Sequence, residues 1–303
     1  MKQTTNTVLL IRPGNFVFNT QTAASNAFQH EIKNETAETI KQKVFAEFEL
    51  FAEKLKSKGI SVFIFNDTEQ PQKPDAIFPN NWISFHADGT AILYPLCAPN
   101  RRTERRMDII DELKKKNYIT HLLDLSVHEK ENKFLEGTGS IVFDHINKIA
   151  YACLSARTNK ELFINLCAQL NYKPIYFNAY DKNGQEIYHT NVMMCIGEKF
   201  AVVCRDSITA AKEAEAVIDS LRTTNHEVIE ITFEQMNSFA GNMLALHDNQ
   251  NKNIIVLSEN ALMSLTSAQK TALEKYGELL AVGINTTETI GGGSARCMIA
   301  EIF

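Results

Sequence analysis

The chain has 303 residues, of which 44% are hydrophobic and 22% are charged, and its formal net charge is −5 at pH 7. This composition indicates a globular protein of one or two domains, and the weak negative charge argues against a nucleic-acid surface. No apolar stretch is long enough to span a membrane, and the polar first residues lack the apolar core of a signal peptide. We therefore expect a cytoplasmic protein.

The cysteines are scattered, without a CxxC pair or the spacing of a zinc site. In a chain of this length without a signal peptide, we expect reduced thiols and neither disulfides nor a bound metal. The six positions are Cys97, Cys153, Cys167, Cys195, Cys204 and Cys297.

The first predicted elements are a buried strand at residues 8–11 and a long polar segment at residues 15–30. Long irregular segments in compact folds are often functional. Apolar residues at helical spacing, including Val44, Phe45 and Phe48, then predict a helix that Gly59 ends, and a strand follows at residues 60–65.

The rest of the chain repeats one order four times, with two strands, a helix and a further strand in each unit. One more strand, predicted at residues 297–302, remains after the last unit. The predicted strands lie at residues 83–85, 91–94 and 120–123, then 140–143, 149–152 and 174–177, then 192–195, 200–203 and 228–231, then 243–246, 254–257 and 279–282.

A fivefold repeat with one leftover strand predicts a ring, since the last strand can pair into the first unit and leave no exposed edge. We therefore predict one domain, residues 1–303, with an α/β fold of the five-bladed propeller type. An open doubly wound sheet is the alternative, but that fold alternates single strands with helices.

Polar residues begin the first strand of successive units. Asn81 (after Asn80), Glu136, His189, Asn242 and Cys297 are separated by 55, 53, 53 and 55 residues. Equivalent positions in a ring of repeats face one axis. We therefore expect Cys297, His189 and Glu136 to meet as a nucleophile, a base and a supporting carboxylate.

Each of these residues also has a structural interpretation. Cys297, which follows three glycines, could pack as a small apolar residue in a terminal strand. Glu136, Asn80 and Asn81 could be turn residues, and His189 could be a hydrogen-bonded core histidine. The matched intervals favour the functional interpretation, in which a protonated His189 would also stabilise the Cys297 thiolate.

Four segments together resemble the guanidine-modifying superfamily of arginine deiminases, dimethylarginine hydrolases and amidinotransferases, and above all its citrulline-utilisation hydrolase type. The resemblance implies a five-bladed α/β propeller and a covalent cysteine mechanism with no metal or organic cofactor. The segments are DAIFPNNW (75–82), FLEGTGS (134–140), YHTNVMM (188–194) and GGGSARCMIAEI (291–302).

The resemblance also implies roles for single residues. Cys297 matches the family nucleophile, His189 the general acid/base, and Glu136 the acidic residue that supports the histidine or the substrate. Among substrate-binding residues, Asp75 matches a carboxylate, and Arg102 and Arg157 match arginines that hold the α-carboxylate. The two arginines could instead be surface residues near helix starts.

Two departures from the family pattern bear on the substrate. Asn81 and Asn191 are amides where members that bind a cationic guanidinium carry acids. A buried cation without carboxylate partners costs several kcal/mol, whereas a neutral ureido group needs the donors and acceptors that an amide supplies. These positions favour citrulline over arginine, although Glu136 and Asp75 could still serve a cation.

We therefore expect a hydrolase that converts citrulline to ornithine, carbon dioxide and ammonia. An arginine deiminase, a dimethylarginine hydrolase and an amidinotransferase are alternatives within the superfamily. A non-catalytic propeller that binds a macromolecular partner is an alternative of another class. The expected partner is a small amino-acid substrate, without nucleic acid or membrane, and a homodimer is among the oligomeric states that the sequence leaves open.

Overall fold

The computed structural model describes residues 2–68 and 70–303. In these residues, fifteen strands form five three-stranded sheets. The strands are β1 (Thr7–Arg12), β2 (Ser61–Asn66), β3 (Ile83–Phe85), β4 (Thr90–Leu93), β5 (His121–Asp124), β6 (Val142–Asp144), β7 (Ile149–Leu154), β8 (Lys173–Asn178), β9 (Met194–Ile196), β10 (Phe200–Val203), β11 (Glu227–Glu230), β12 (Leu244–His247), β13 (Asn253–Ser258), β14 (Glu278–Val282) and β15 (Ala300–Ile302).

All five sheets share one pattern, in which the middle strand pairs antiparallel with one neighbour and parallel with the other. The order is β3-β4-β5 in one sheet and β15-β1-β2 in another. The leftover strand β15 therefore pairs with β1, as predicted, with Thr7 opposite Ile302. The five sheets fit the predicted pseudo-fivefold repeat of an α/β fold.

Helices connect the parallel strands of each sheet, because a parallel pair needs a crossover. The helix α2 (Ala37–Ser57) connects β1 to β2. In the next three sheets, the parallel strands are connected by α3 (Met107–Lys115), α5 (Lys160–Leu170) and α7 (Ala211–Thr223), and in the last sheet by α9 (Glu259–Ser264) and α10 (Ser267–Glu274). The helices are α1 (Thr20–Ala23), α2 (Ala37–Ser57), α3 (Met107–Lys115), α4 (Gly137–Ser140), α5 (Lys160–Leu170), α6 (Thr190–Met193), α7 (Ala211–Thr223), α8 (Phe233–Asn237), α9 (Glu259–Ser264), α10 (Ser267–Glu274) and α11 (Asn285–Gly291).

The helix α2 shows how the core holds these units together. Its Val44, Phe48 and Phe51 are fully buried and belong to one apolar cluster with Val8 of β1. Burial of side chains of this size contributes about 1.5–3 kcal/mol each. Phe45, which the sequence placed on the same apolar face, is 45% exposed, because it follows Val44 and points away from that face.

The inner ends of three units differ from the predicted strands. Short helices, α4 and α6, occupy residues that were predicted as the starts of strands, and β6 and β9 begin only after them. The final strand likewise begins at Ala300 rather than at Cys297. A short apolar run is buried in either conformation, so its pattern does not separate the two. Glu136, His189 and Cys297 therefore lie on turns, where several chain segments meet.

Among the helices of residues 2–68 and 70–303, none combines the length and the apolar character that a membrane crossing requires.

Candidate active site

Cys297 and His189 line one small buried cavity. The predicted site residues Asp75, Asn81 and Arg157 line it as well. The sequence prediction that sulfur and imidazole share a cavity therefore agrees with their position in the fold. The remaining lining residues are Asn26, Phe78, Arg101, Tyr188, Gly291, Gly292 and Gly293.

His189 and Glu136 form a buried pair. His189 Nε2 lies 2.8 Å from Glu136 Oε2, and Glu136 Oε1 accepts the backbone N–H of Cys97 at 2.9 Å. The Glu136 side chain is fully buried and His189 is 2% exposed. Since an ionised carboxylate only accepts hydrogen bonds, Nε2 carries the proton in this pair. The carboxylate thus fixes both the tautomer and the orientation of the ring.

The pKa values of this pair explain its charge. Burial alone would raise the pKa of Glu136, but the charge of Arg157, the hydrogen bond of His189 and the charge of Arg101 hold it below its ordinary range. Burial lowers the pKa of His189, although the hydrogen bond and the charge of Glu136 act in the opposite direction. The direction of this shift favours the neutral imidazole, whereas the predicted stabilisation of the thiolate needs the protonated form.

Two glycines allow the inner turns to approach this pair. Gly137 has a φ of +50°, and a Cβ on it would lie 2.1 Å from the carbonyl oxygen of Asn80. A Cβ on Gly139 would lie 2.7 Å from His189 Nδ1 and 2.5 Å from Asn81 Nδ2. Any side chain at either position would push the turns apart, so the GTG sequence after Glu136 is a packing requirement.

Cys297 lies on the turn that follows α11. Gly292 ends this helix in the left-handed conformation, with a φ of +62°, and the chain then turns so that Cys297 N–H donates to Ser294 O at 2.9 Å. The sulfur is buried, with Cys297 only 3% exposed. Two side-chain amides donate to it, Asn191 Nδ2 at 3.4 Å and Asn242 Nδ2 at 3.3 Å.

Arg157 and Arg101 bring two positive charges to the cavity. Arg157 Nη1 lies 3.6 Å from Glu136 Oε2. Arg101 Nη1 donates to Asn81 Oδ1 at 2.8 Å, and its other nitrogens form a two-point ion pair with Glu104. Both arginines are at most 3% exposed.

Arg102, the other arginine predicted to bind substrate, points elsewhere. Its Nε donates to Leu96 O at 3.1 Å and lies 3.5 Å from Glu129, and it is absent from the cavity lining. Arg101 and Arg102 are neighbours on the short 3₁₀ turn Pro99–Glu104, so their side chains leave the turn in different directions. Arg101, rather than Arg102, therefore lines the cavity, and a substrate contact for Arg102 stays a prediction.

Several buried polar atoms of the site lack a hydrogen-bond partner within the described part of the chain. They are Asp75 Oδ1, Asn80 Nδ2 and Asn191 Oδ1. The second oxygen of Asp75 accepts from Asn19 Nδ2 at 2.7 Å, so only Oδ1 of this carboxylate is free. Since buried polar groups are normally satisfied, a group of free donors and acceptors indicates a place for a polar ligand.

The polar segment at residues 15–30 covers the cavity. Arg157 Nη2 donates to Thr22 O at 3.1 Å and to Ser25 Oγ at 2.8 Å. Asn26 Nδ2 donates to Gly292 O at 3.2 Å. The segment therefore packs against Arg157 and Gly292 and contributes Asn26 to the lining of the cavity.

Sequence reasoning gave no role to three residues of the site. The sequence indicates Arg102 rather than its neighbour Arg101. It gives Asn242 only as the residue that begins the first strand of its unit. The third is Tyr188, whose ring lies 4.6 Å from that of His189 and whose hydroxyl donates to Gly292 O. The fivefold spacing was the signal that could have identified Asn242.

In residues 2–68 and 70–303, no group of three or more histidine, cysteine, aspartate or glutamate side chains is arranged to hold a metal ion.

This geometry agrees with the comparison to protein families. The model of the eukaryotic N,N-dimethylarginine dimethylhydrolases matches residues 12–303. The chain belongs to the dimethylarginine dimethylhydrolase family. The predicted guanidine-modifying superfamily is thereby confirmed, and the chain is a hydrolase that acts on carbon–nitrogen bonds. No curated protein sequence matches the chain.

Solved structures show the same fold. The N-terminal domain of ArgZ, an arginine dihydrolase of the cyanobacterial ornithine–ammonia cycle, has a TM-score of 0.75 and 14% identity over 98% of this chain and 97% of its own. A mutant of AgrE in complex with L-arginine has a TM-score of 0.76 and 14% identity, and the match covers 98% of this chain and 40% of AgrE.

A third structure is the dimethylarginine dimethylhydrolase of Pseudomonas aeruginosa, a cysteine-to-serine mutant in complex with citrulline. Its TM-score is 0.68, with 15% identity over 98% of this chain and 99% of its own. At these identities, the three structures support the pentein-type fold of this dimethylarginine dimethylhydrolase family member.

Proposed function

We propose that the chain hydrolyses the ureido group of citrulline to give ornithine, carbon dioxide and ammonia, with one water consumed. The observation that carries this proposal is the neutral surroundings of the buried sulfur. Asn191 donates to Cys297 Sγ, and Asn81 lines the same cavity, where related enzymes for cationic guanidines carry acids. Amides suit a neutral group that both donates and accepts hydrogen bonds.

In the proposed mechanism, the Cys297 thiolate attacks the ureido carbon and forms a carbon–sulfur bond. As the tetrahedral intermediate gains negative charge, His189 takes up a proton from solvent and delivers it to the departing nitrogen, whose bond to the carbon breaks. A thiocarbamate remains on the sulfur. Water then attacks this group while His189 accepts its proton, the carbon–sulfur bond breaks, and the resulting carbamate loses carbon dioxide.

The charged side chains of the cavity fit the α-amino-acid end of the substrate. The free Oδ1 of Asp75 can accept from the α-ammonium group. The guanidinium groups of Arg157 and Arg101 supply the fork of donors that suits an α-carboxylate. Arg157 now uses its donors on Thr22 O and Ser25 Oγ, so a bound carboxylate would replace contacts to the covering segment.

We also propose that the five sheets surround one axis as a closed five-bladed propeller and that residues 1–303 form a single catalytic domain. The pairing of β15 with β1 supports this arrangement, because it gives the first sheet the strand order of the other four. The shared cavity of His189 and Cys297, with Glu136 paired to His189, supports it as well.

The test of the substrate is a panel of citrulline, arginine and N,N-dimethylarginine with purified protein, in which ornithine, citrulline and ammonia are measured. We expect ornithine from citrulline and no turnover in Cys297→Ser. Turnover of arginine or dimethylarginine without turnover of citrulline would reject the proposed substrate. The mass of a trapped Cys297 adduct would show whether ammonia or ornithine leaves first.

A methylated arginine is the second candidate. Two observations favour it. Asp75 has one free buried carboxylate oxygen, and the dimethylarginine dimethylhydrolase family model matches the chain. In the same panel, this candidate predicts citrulline as a product rather than as a substrate.

A further inference from the structure

The inference concerns the state of the nucleophile before substrate arrives. Cys297 Sγ is the acceptor for two amide N–H groups, one from Asn191 and one from Asn242. Cys297 is 3% exposed, so water cannot solvate a charge on the sulfur. Donors fixed on a buried anion replace the hydration that it has lost.

The orientation of the Asn242 amide is fixed by other contacts. Its Nδ2 also donates to Asn191 O at 2.8 Å, and its Oδ1 accepts the backbone N–H of Arg296 at 3.1 Å. A flipped amide would lose both hydrogen bonds. The alternative in which the Cys297 thiol donates to Asn242 Oδ1 is longer, at 3.7 Å, and uses an oxygen that already has a partner.

Other buried cysteines face backbone groups rather than side-chain amides: the backbone of Val202 and of Met243 lies beside the sulfur of Cys195. The sulfur of Cys153 donates to the carbonyl of Ile187, an arrangement that favours the protonated thiol. Burial raises the pKa of Cys153 and of Cys195 to about 12. Cys297 is buried to a similar degree, but its two donors are the side-chain amides of Asn191 and Asn242.

The ionisable groups around Cys297 are engaged with partners other than the sulfur. Arg101 pairs with Glu104 and Arg296 pairs with Glu301. His189 pairs with Glu136, and burial disfavours a positive charge on its imidazole. The groups that share the cavity or adjoin it are Asp75, Arg101, Glu136, Arg157, Tyr188, His189 and Arg296.

We propose that Asn242, together with Asn191, holds Cys297 as a thiolate in the substrate-free enzyme and that this resting thiolate adapts the site to a neutral ureido substrate. The second part rests on the proposed function. A guanidinium cation would stabilise the thiolate on arrival by charge attraction. A neutral ureido group cannot do so, and the protein must therefore supply the stabilisation itself.

The test is the ultraviolet absorbance of the thiolate across pH, taken as the difference between the substrate-free protein and Cys297→Ser. The difference removes the contributions of the other five cysteines. We expect the thiolate at pH 7 without any ligand. In Asn242→Asp, we expect the ionised fraction at pH 7 to fall about tenfold or more, because hydrogen bonds to charged groups contribute about 1.5–3 kcal/mol.

Asn191→Ala is the second variant. It removes one donor from the sulfur and leaves the Asn242 side chain with its contacts to Asn191 O and Arg296 N–H, so we expect it to fold and to reduce the ionised fraction about threefold to tenfold. Asn159→Asp is the matched control. It makes the same change of amide to carboxylate at the N-cap of α5, where the side-chain oxygen accepts from Leu162 N–H, and it should leave the absorbance profile unchanged.

Two results would overturn the proposal. One is an unchanged absorbance profile in the folded variants, with Asn191→Ala deciding alone if Asn242→Asp does not fold. The other is a thiolate that appears at pH 7 only when arginine is added. Neither result depends on citrulline turnover, so the failure of this proposal and the failure of the proposed function can be told apart.

Discussion

The two sides of the candidate active site differ in charge. Around His189 lie a buried carboxylate, Glu136, and two buried guanidinium groups, whereas the side-chain donors to Cys297 are neutral amides. The charged side fixes an imidazole and offers partners to a zwitterionic amino acid. The amide side can stabilise an anion on sulfur without bringing a counter-charge into a buried place, where an unpaired charge is costly.

The largest expected effect is at the sulfur itself. In Cys297→Ser, we expect the turnover of the preferred substrate to fall by about 10⁴-fold or more, because a buried hydroxyl is a much weaker nucleophile than a thiolate. Thermal unfolding should show that the variant is folded. Full activity in this variant would exclude the covalent mechanism and leave the amide side without a role in catalysis.

The next effect is on the charged side. In Glu136→Gln, we expect kcat to fall about 10²–10³-fold, because His189 loses the carboxylate that fixes its proton and orientation. The matched control is Glu129→Gln, which makes the same change outside the cavity, beside Arg105. Equal kcat values in folded Glu136→Gln and in the control would mean that the pair is only structural.

The arginines separate binding from chemistry. In Arg157→Lys, we expect KM to rise about 30-fold with a smaller change in kcat, because a lysine cannot reproduce the two-point fork on a carboxylate. Arg102→Lys is the matched control, since its side chain points away from the cavity, and we expect a change of less than about threefold. A larger rise in KM from Arg102→Lys than from Arg157→Lys would restore the assignment made from sequence.

The smallest predicted effect concerns the free energy of unfolding and His145, a buried histidine outside the cavity. Burial lowers the pKa of His145 to about 3, so its neutral form stabilises the fold above pH 6.5, and this contribution is lost as pH falls from 6.5 towards 3. In His145→Asn, the free energy of unfolding should decrease less between pH 6.5 and 4, by roughly 3 kcal/mol.

Urea unfolding at several pH values measures this effect. The control is the exposed His121, whose replacement by asparagine should leave the pH dependence unchanged. The same slope in His145→Asn and in the unmodified protein would show that this histidine is not buried in its neutral form.

Much of the fold and of the candidate site was predictable because the sequence repeat extends over the whole chain. Intervals of 53 and 55 residues anticipated the common cavity of His189 and Cys297, since repeats of one fold place equivalent residues alike. Local detail was not predictable. The residues just before β9 are buried in the helical turn of α6, as they would be in a strand. Their apolar pattern therefore did not predict the short helix α6.

The choice between Arg101 and Arg102 shows a second limit. The two residues are identical and adjacent, and only the direction in which each leaves the turn decides which one enters the cavity. The role of Asn242 shows a third limit. An amide becomes informative only when the atom that it faces is known, and here that atom is a sulfur 55 residues away in the sequence.

The pairing of β15 with β1 has a consequence for biosynthesis. Thr7 and Ile302, which lie opposite each other, are separated by nearly the whole chain, so this contact forms late and at a high cost in loop entropy. Cys297 lies three residues before β15. During synthesis, the site around Cys297 therefore cannot assemble until β15 has been made and has paired with β1.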